Sequence, residues 1–388
     1  MNATARPVEA MPPTLVRALP AWVYNHPEMS RLEYERILRP SWQLVCHVSA
    51  VARQGDYVAI EIGRESIVVL KGSAGEIRAF HNVCRHRGAR ILQGAGNCPG
   101  AITCPYHGWS YKLTGELLGM PNRETFPPLD RSQLGLKPVR MQVFSGFVFV
   151  CLAGDELPSL EKIWGEIGTE FVAHHFERMQ PLAPLYVEHW DCDWKVAMDN
   201  YLESYHVPIG HPGLFRMLTP DFDDQSSTDG GVARGASWLR ERPSSRWSER
   251  MYQKMIGGLA QHLPEQDRKR WSFYSMLPNL GIDVFPDQMD FFQVLPRGPG
   301  KCTIRGQVFG LPDARREMRI VRYLNARINR QVQREDEFLR TRVQQGLASP
   351  SYEPGPLSSI ENWMLESHEL LRARIPEARL ASAPARFA

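Results

Sequence analysis

The sequence predicts an α+β protein with an all-β domain first and a larger domain of strands and helices after it. From 41 to 155, short β-branched or aromatic runs such as "YVAIEIG" and "ESIVVLKG" are closed by turn residues, which is typical of strands. After Pro158, amphipathic segments mix with further strand-like runs. We therefore expect an N-terminal arm and helix at 1–40 packed on the second domain, an all-β domain at 41–155 and the second domain at 156–388.

Individual elements follow from local patterns. "EMSRLEYERILRPSW" and "LEKIWGEIGTEFVAHHF" have helical spacing, and "FVFVCLA" indicates a buried strand. "DWKVAMDNYLESYHV" predicts a helix that ends at Pro208, because proline disrupts a helix interior. A polar Gly/Ser/Asp-rich loop follows at 218–236, then strands at "NLGIDVF", "DFFQVLP" and "KCTIRGQVFG". Apolar residues at helical spacing predict a long helix from Ala314 to about Gln345.

Composition excludes several classes of function. The 388 residues carry a net charge of only +3, and no basic run with interleaved aromatics suggests nucleic acid. No window approaches the roughly 18 apolar residues of a membrane helix. The N-terminus lacks the pattern of a secretory signal, and the seven cysteines are an odd number scattered through apolar runs. We expect an intracellular, cytoplasmic protein with reduced thiols.

Two mixed cysteine–histidine pairs, Cys84/His86 and Cys104/His107, form the first candidate site. Thiolate and imidazole bind both zinc and iron–sulfur clusters, so the ligand types alone do not decide. Zinc fingers usually pair Cys with Cys and His with His, whereas a [2Fe–2S] cluster with two ligands of each kind uses this mixture from two facing loops. The alternative is a zinc ion that only stabilises the loops.

The second candidate site is "NYLESYHVPIGH", which contains Glu203, His206 and His211. On a helix, Glu203 and His206 would share one face, and the break at Pro208 and Gly210 would let His211 swing back. Two histidines with one carboxylate form the facial triad of mononuclear Fe(II) oxygenases.

The carboxylate of such a triad would come from the long C-terminal helix. At about 100° per residue, Glu335 and Asp336 flank its apolar stripe, one on each side. Helix geometry therefore does not choose between them, and both could instead pair with Arg334 or Arg340 on a solvated face.

The sequence resembles the Rieske non-heme iron oxygenases at both sites. "CRHRGA" and "CPYHGWSY" are similar to that family's cluster-binding loops, and Asn200, Glu203, Tyr205, His206 and His211 match its catalytic pattern. The resemblance implies that Cys84 and Cys104 bind the inner iron of the cluster and that His86 and His107 bind the outer one. His206 and His211 would bind Fe(II), with Asp336 as the third ligand. Asn200 would lie close to that iron, and Glu203 would be the bridging acid, where many members have Asp.

The resemblance also implies a fold, partners and an activity. We expect a Rieske domain, a helix-grip catalytic domain with a central antiparallel sheet, and a head-to-tail homotrimer. The chain would be a terminal oxygenase that inserts oxygen from O₂ into a small organic substrate. Since no G-x-G-x-x-G lies in a strand–helix setting, NAD(P)H would be used indirectly, through a separate flavin or iron–sulfur reductase or a ferredoxin.

Substrate class is open at this level. Aromatic side chains in 214–294 could stack on a flat ring or bind a quaternary ammonium by cation–π contact, although at least half should be core. The candidates are Phe215, Trp238, Trp247, Tyr252, Trp271, Phe273, Tyr274, Phe285 and Phe291. The length and N-terminal segment favour single-subunit enzymes acting on betaine-like amines over ring dioxygenases with a β subunit. A Rieske-type electron carrier and a zinc-stabilised binding protein are the alternatives.

Overall fold

Small antiparallel sheets build the N-terminal domain of the computed structural model, which describes residues 16–153, 157–220, 223–227 and 231–387. These sheets have the strand orders β4-β3-β2-β5, β6-β7-β8 and β1-β10-β9. Their strands are β1 Gln43–His47, β2 Asp56–Ile62, β3 Glu65–Lys71, β4 Ile77–His81, β5 Ala95–Asn97, β6 Ile102–Thr103, β7 Ser110–Tyr111, β8 Leu117–Gly119, β9 Arg140–Phe144 and β10 Phe147–Cys151.

A larger antiparallel sheet forms the second domain. Its order is β11-β18-β17-β16-β15-β14-β13, with β12 also paired to β18. The strands are β11 Gln180–Pro181, β12 Tyr186–Trp190, β13 Asp223–Ser227, β14 Val232–Trp238, β15 Arg270–Met276, β16 Leu280–Val284, β17 Met289–Pro296 and β18 Cys302–Gly310.

Helices pack on both faces of this sheet. They are α1 Ala21–Asn25, α2 Pro27–Glu33, α3 Leu160–Trp164, α4 Trp194–Tyr201, α5 Val207–Gly210, α6 Pro212–Met217, α7 Trp247–Leu259, α8 Arg316–Leu347 and α9 Asn362–Arg374. A π-helical turn at Tyr34–Leu38 extends α2, and a 3₁₀ segment covers Ile167–His174. The long helix α8 contacts α4, α5, α6 and α7.

Successive side chains of β16 and β17 face two different environments. Ile282 and Phe291 pack into an apolar core that includes residues of β10 and α3. Asp283 and Phe292 point the other way, into a cavity beneath α4 and α8. Because successive side chains of a strand face opposite sides, one sheet supplies both a core and a cavity wall.

Several expectations about the elements are confirmed and others are wrong. The α+β class, the N-terminal strands and the long helix are as predicted. The helix through "DWKVAMDNYLESYHV" ends at Tyr201, so Glu203 and His206 lie in a turn and not on one helix face. The segment after Pro158 breaks at Gly165, whose φ is 47°. The region 218–236 contains the hairpin strands β13 and β14, although residues 221–222 and 228–230 lie outside the described part.

The segment after residue 15 contributes to a core of the second domain; residues 1–15 lie outside the described part. Leu19, Val23 and Met29 share a core with Trp194 of α4 and with Val294. The domain boundaries themselves remain predictions. Within the described ranges, no helix combines the length and apolar character needed to cross a membrane.

A buried ion-pair network ties this N-terminal segment to the start of α4. Lys195 contacts both Glu33 and Asp193, and the side chains of Lys195 and Glu33 are 4% and 1% exposed. The Trp194 indole N–H donates to Glu33 at 2.8 Å. Since α4 leads directly into the turn with Glu203 and His206, this network fixes where that turn begins.

We expect Glu33→Ala to destabilise the protein by about 3 kcal/mol, because it leaves a buried ammonium with only one of its two carboxylates. The thermal unfolding midpoint should fall by several degrees. Glu35→Ala, at an exposed position two residues away, is the matched control and should leave the midpoint unchanged. An unchanged midpoint in Glu33→Ala would show that the network contributes nothing to stability.

Candidate metal centres and substrate cavity

Two loops of matching shape carry the cysteine–histidine pairs. One begins at Cys84 after β4, and the other begins at Cys104 between β6 and β7. In each loop a glycine amide donates back to the cysteine carbonyl, from Gly88 at 3.0 Å and from Gly108 at 3.1 Å. Their φ values of 74° and 71° lie in the left-handed region that favours glycine. These glycines therefore close the turns that present the two pairs to each other.

The four side chains divide into a buried sulfur end and a more exposed nitrogen end. Cys84 and Cys104 are 4% and 2% exposed, whereas His86 and His107 are half-buried, with their Nδ1 atoms 3.2 Å apart. Burial raises the pKa of the Cys104 thiol, so a thiolate there requires a metal or another positive charge. The His86 ring stacks on Trp109 at 5.0 Å, which fixes its orientation.

The spacing of these donors fits a two-metal cluster better than a zinc ion. A tetrahedral zinc site would hold all four donor atoms within about 4 Å of one another. Among the described residues, His206, His211 and Asp336 form the only group that could surround one ion, and the four loop side chains do not. A [2Fe–2S] cluster with mixed ligation needs a pair of thiolates on one iron and a pair of imidazoles on the other.

The second centre is a convergence of three donor atoms from the α4–α6 turn and from α8. His206 Nε2 lies 3.1 Å from His211 Nε2, and Asp336 Oδ1 lies 3.0 Å from His211 Nε2 and 3.8 Å from His206 Nε2. Ligands bound at about 2.1 Å and at right angles are separated by about 3.0 Å. Two of the three separations match the edges of one face of an octahedral metal site, and the third, between Asp336 Oδ1 and His206 Nε2, is wider.

The oxygen that Asp336 presents to this group shows that the residues fit a metal ion. Asp336 Oδ1 is buried and accepts no hydrogen bond from the described residues, although His211 Nε2 is close. A buried carboxylate oxygen without a partner is costly. A cation bound between the three donors would satisfy this oxygen and both Nε2 atoms.

Two further carboxylates hold the far nitrogen of each histidine. Glu203 hydrogen-bonds His206 Nδ1, and Glu335 lies 2.9 Å from His211 Nδ1. Such contacts fix the tautomer and ring orientation of metal-binding histidines. Burial lowers the pKa of His211, but Asp336 and Glu335 outweigh it and the pKa rises. Helix geometry left Glu335 and Asp336 open as ligands. In the structure both belong to the site, with Asp336 on the converging side.

A cavity of about 140 Å³ adjoins this centre. That is about the size of an engineered cavity that admits benzene. It is bordered by His206, His211 and Asp336, and by Asn200 and Glu203. Its other polar and aromatic lining residues include Trp190, Tyr201, Asp224, Phe273, Asp283, Phe292, Arg340 and Trp363.

Comparison with protein families matches both halves of the chain. Residues 176–377 match the family described as "Ring hydroxylating alpha subunit (catalytic domain)", and residues 41–137 match the Rieske [2Fe-2S] domain. The chain belongs to the ring-hydroxylating alpha-subunit family. The predicted family, the oxygenase class and the pairing of a Rieske cluster with a non-heme iron are thereby confirmed.

Relatives in this family include oxygenase subunits of several monooxygenases. The glycine betaine monooxygenase oxygenase subunit of Chromohalobacter salexigens is 29% identical over 371 residues, covering 88% of this chain and 82% of the relative. Choline monooxygenase of Arabidopsis thaliana is 29% identical over 362 residues, 91% of this chain and 81% of the relative. The carnitine monooxygenase oxygenase subunit of Escherichia coli K12 is 37% identical over 219 residues, so the chain spans about half of that relative, 55%.

Solved structures share the fold. A quaternary ammonium Rieske monooxygenase, described with carnitine oxidation and inter-subunit electron transfer, gives a TM-score of 0.78 at 23% identity, covering 95% of this chain and 99% of that one. Naphthalene 1,2-dioxygenase from Rhodococcus sp. gives 0.76 at 21% identity, covering 92% and 94%. These likenesses confirm the predicted combination of a Rieske domain with an antiparallel-sheet catalytic domain.

The aromatic residues expected in the substrate pocket of this alpha subunit are mostly elsewhere. Phe273 alone among the nine lines the cavity. The fully buried core residues are Tyr252, Trp271, Tyr274, Phe285 and Phe291. Phe215 and Trp247 are exposed, and Trp238 lies against Arg270. The cavity rings that sequence reasoning missed are Trp190, Tyr201, Phe292 and Trp363. The alternation along "DFFQVLP" could have suggested that Phe291 and Phe292 face opposite sides.

Three consecutive acids of α8 allow a matched test of the iron site. We expect Asp336→Asn to abolish Fe(II) retention, because it removes a charged donor. Glu335→Gln should weaken affinity about 10- to 100-fold, as is typical when the partner of a ligand histidine is lost. Glu337→Gln, at an exposed position, should retain full iron. Iron content and Fe(II) titration measure these effects, and equal loss in Glu335→Gln and Asp336→Asn would contradict the distinction.

Proposed function

We propose that this chain is a terminal oxygenase that hydroxylates or oxidatively demethylates a small quaternary-ammonium or aromatic substrate. The observation that carries the proposal is the convergence of His206, His211 and Asp336 beside a cavity of small-molecule size. Those three residues would hold Fe(II), which when bound supplies the activation of dioxygen. Cys84, Cys104, His86 and His107 would hold the Rieske cluster.

The relatives favour a quaternary-ammonium substrate over a neutral ring. Monooxygenases of glycine betaine, carnitine and choline are among the relatives. A screen for substrate-stimulated oxygen uptake, with a surrogate reductase and with aromatic acids and trimethylammonium compounds side by side, tests this choice.

Glu203 is suited to act between the two metal centres. One of its oxygens hydrogen-bonds His206 Nδ1 and the other accepts from the His206 amide at 3.1 Å. Its side chain is 11% exposed, so it still reaches the surface. We propose that Glu203 also hydrogen-bonds a cluster-binding histidine of a neighbouring subunit, with Asn200 lining the cavity behind it.

An exposed apolar patch beside Glu203 supports the head-to-tail homotrimer. This patch, formed by Tyr205, Ile209, Phe338 and Val343, has side chains that are 61%, 89%, 56% and 52% exposed. Exposed apolar clusters of this kind mark interaction surfaces. Near the cluster loops Tyr106 is also 56% exposed. A closed ring follows when one such patch meets a different patch of the next copy.

Electron supply and location complete the proposal. A separate flavin or iron–sulfur reductase, or a ferredoxin, would pass electrons from NAD(P)H to the half-buried histidine end of the cluster. None of the seven cysteines, all of which lie in the described ranges, forms a disulfide. This agrees with a reducing compartment such as the cytoplasm.

Glu203→Gln, assayed with excess Fe(II) so that the mononuclear site stays occupied, should lower turnover by more than about 100-fold with the cluster intact, because the amide loses the charge and geometry of the bridge. Iron content, the visible spectrum of the cluster and oxygen uptake are measured together. Glu265→Gln, at an exposed position, is the control. Normal turnover in Glu203→Gln would falsify the bridging role.

Ile209→Asp should convert the trimer to monomers and abolish steady-state turnover, because a charge placed in the patch opposes burial against another subunit. Sedimentation velocity measures the change. Val172→Asp introduces the same charge at a 72% exposed position elsewhere and should remain trimeric. An active monomeric wild-type protein would exclude the trimer.

A further inference from the structure

Arg340 is a buried guanidinium that lines the cavity and forms no ion pair within the described residues, although the charge of Asp336 acts on it. It lies one turn after Asp336 on α8 and is 6% exposed. Its guanidinium carbon lies 3.7 Å from the centre of the Trp190 ring. Among the described residues, no hydrogen bond or ion pair satisfies it. Burial lowers the pKa of Arg340, which reflects the cost of withdrawing this charge from water.

One carboxylate of the cavity wall, Asp283, lies beside a second carboxylate, Asp290, and no ion pair within the described residues neutralises either one. Asp283 and Asp290 are directly opposite each other in the register of β16 and β17. Opposite residues of like charge destabilise a sheet. Burial raises the pKa of Asp283 to about 7, and burial together with Asp283 raises the pKa of Asp290 well above its ordinary value. Tyr201 donates to Asp283 at 2.8 Å. Among the described residues, neither carboxylate forms an ion pair.

The aromatic rings that line the cavity together with these charged groups can bind an alkylated cation. Tyr201, Phe273, Phe292, Trp190 and Trp363 all line the same cavity as Asp283 and Arg340. Aromatic faces attract quaternary ammonium groups, which cannot donate conventional N–H hydrogen bonds. A neutral aromatic substrate would leave both the guanidinium and the carboxylates unpaired, and sites with unpaired buried polar groups reject such ligands strongly.

We infer that the cavity recognises a zwitterion, with Arg340 pairing a substrate carboxylate and Asp283, with the aromatic rings, facing an alkylated ammonium group. This inference rests on the proposed function and narrows its substrate class. It makes Arg340 and Asp283 specificity-determining residues, neither of which binds the metal. A guanidinium and a carboxylate pair in a planar, often bidentate geometry. Binding should therefore be more sensitive to changes at the carboxylate end of the ligand than to changes of its alkyl groups.

Matched ligands test the inference on the unaltered holoprotein. Glycine betaine and carnitine carry both charges, choline lacks the carboxylate, and 3,3-dimethylbutanoate replaces the trimethylammonium by a neutral tert-butyl group. Anaerobic calorimetric titration should show at least one zwitterion binding about tenfold or more tightly than choline and 3,3-dimethylbutanoate. If neither zwitterion binds more tightly than choline, the inference is overturned.

Substitutions assign the two ends. Arg340→Gln should remove the preference for the zwitterion over choline. Asp283→Asn should weaken the binding of every ligand that carries an ammonium group, while 3,3-dimethylbutanoate should bind as well as before or better. Arg319→Gln, at an exposed position on the same helix, should change nothing. Retention of the zwitterion preference in a folded Arg340→Gln protein would overturn the assignment. If Arg340→Gln does not fold, the ligand comparison on wild type decides.

Oxygen uptake separates this inference from the proposed function. Tight zwitterion binding without substrate-stimulated oxygen uptake, in protein with both metal centres loaded, would contradict the oxygenase proposal and leave the recognition intact. Uptake stimulated by a neutral aromatic compound, with no binding of the zwitterions, would overturn the recognition and leave the oxygenase intact.

Discussion

The close approach of the α4–α6 turn to α8 is the contact on which the rest of the second domain depends. At Gly210 an added Cβ would lie 2.9 Å from Leu339 Cδ1 and 3.1 Å from His206 Cδ2, distances that force a displacement. Glycine therefore lets the turn lie against the helix, and only at that separation do the two imidazoles and the Asp336 carboxylate share a centre. A shift of 1 Å would separate the donors, because metal–ligand bonds tolerate only about 0.2 Å.

Helix α8 concentrates function because it is long and has distinct faces. Asp336 and Arg340 are four residues apart and lie on one face, one toward the metal centre and the other toward the same cavity. The neighbouring residue Glu335 instead contacts the Nδ1 atom of His211. Phe338 and Val343 point outward, into the exposed patch. One rigid element thus links the metal site, the charge pattern of the cavity and the proposed subunit contact, so movement of α8 would affect all three together.

The sequence was most informative where residue type and spacing are both constrained by chemistry. The mixed Cys–His loops and the His206–His211 spacing need particular ligands at short range, and the structure brings those side chains together. The remaining site residues were harder to predict, because their positions depend on contacts between distant parts of the chain. Glu335 and Asp336 are adjacent, and their separate positions depend on how α8 is rotated against His211. The cavity rings depend on strand parity and on Trp363, which is far from the metal motif in the chain. Helix propensity also favoured one helix through Glu203, whereas in the structure the helix ends at Tyr201 and Glu203 lies in the turn that follows.

A glutamate at position 203, where the resemblance suggests aspartate is common, has a geometric consequence. Both carboxylate oxygens already contact His206, one at its ring and one at its amide. A carboxylate has about four acceptor positions, so these two contacts leave capacity for a donor from outside the subunit. The additional methylene lets the side chain reach back to the ring three residues later while its oxygens remain near the surface. Because the same group orients His206 and faces outward, a donor that approaches from a neighbouring subunit would alter the hydrogen bond to the iron-binding ring directly. That arrangement would couple the arrival of the proposed neighbouring subunit to the hydrogen bonding of the His206 ring.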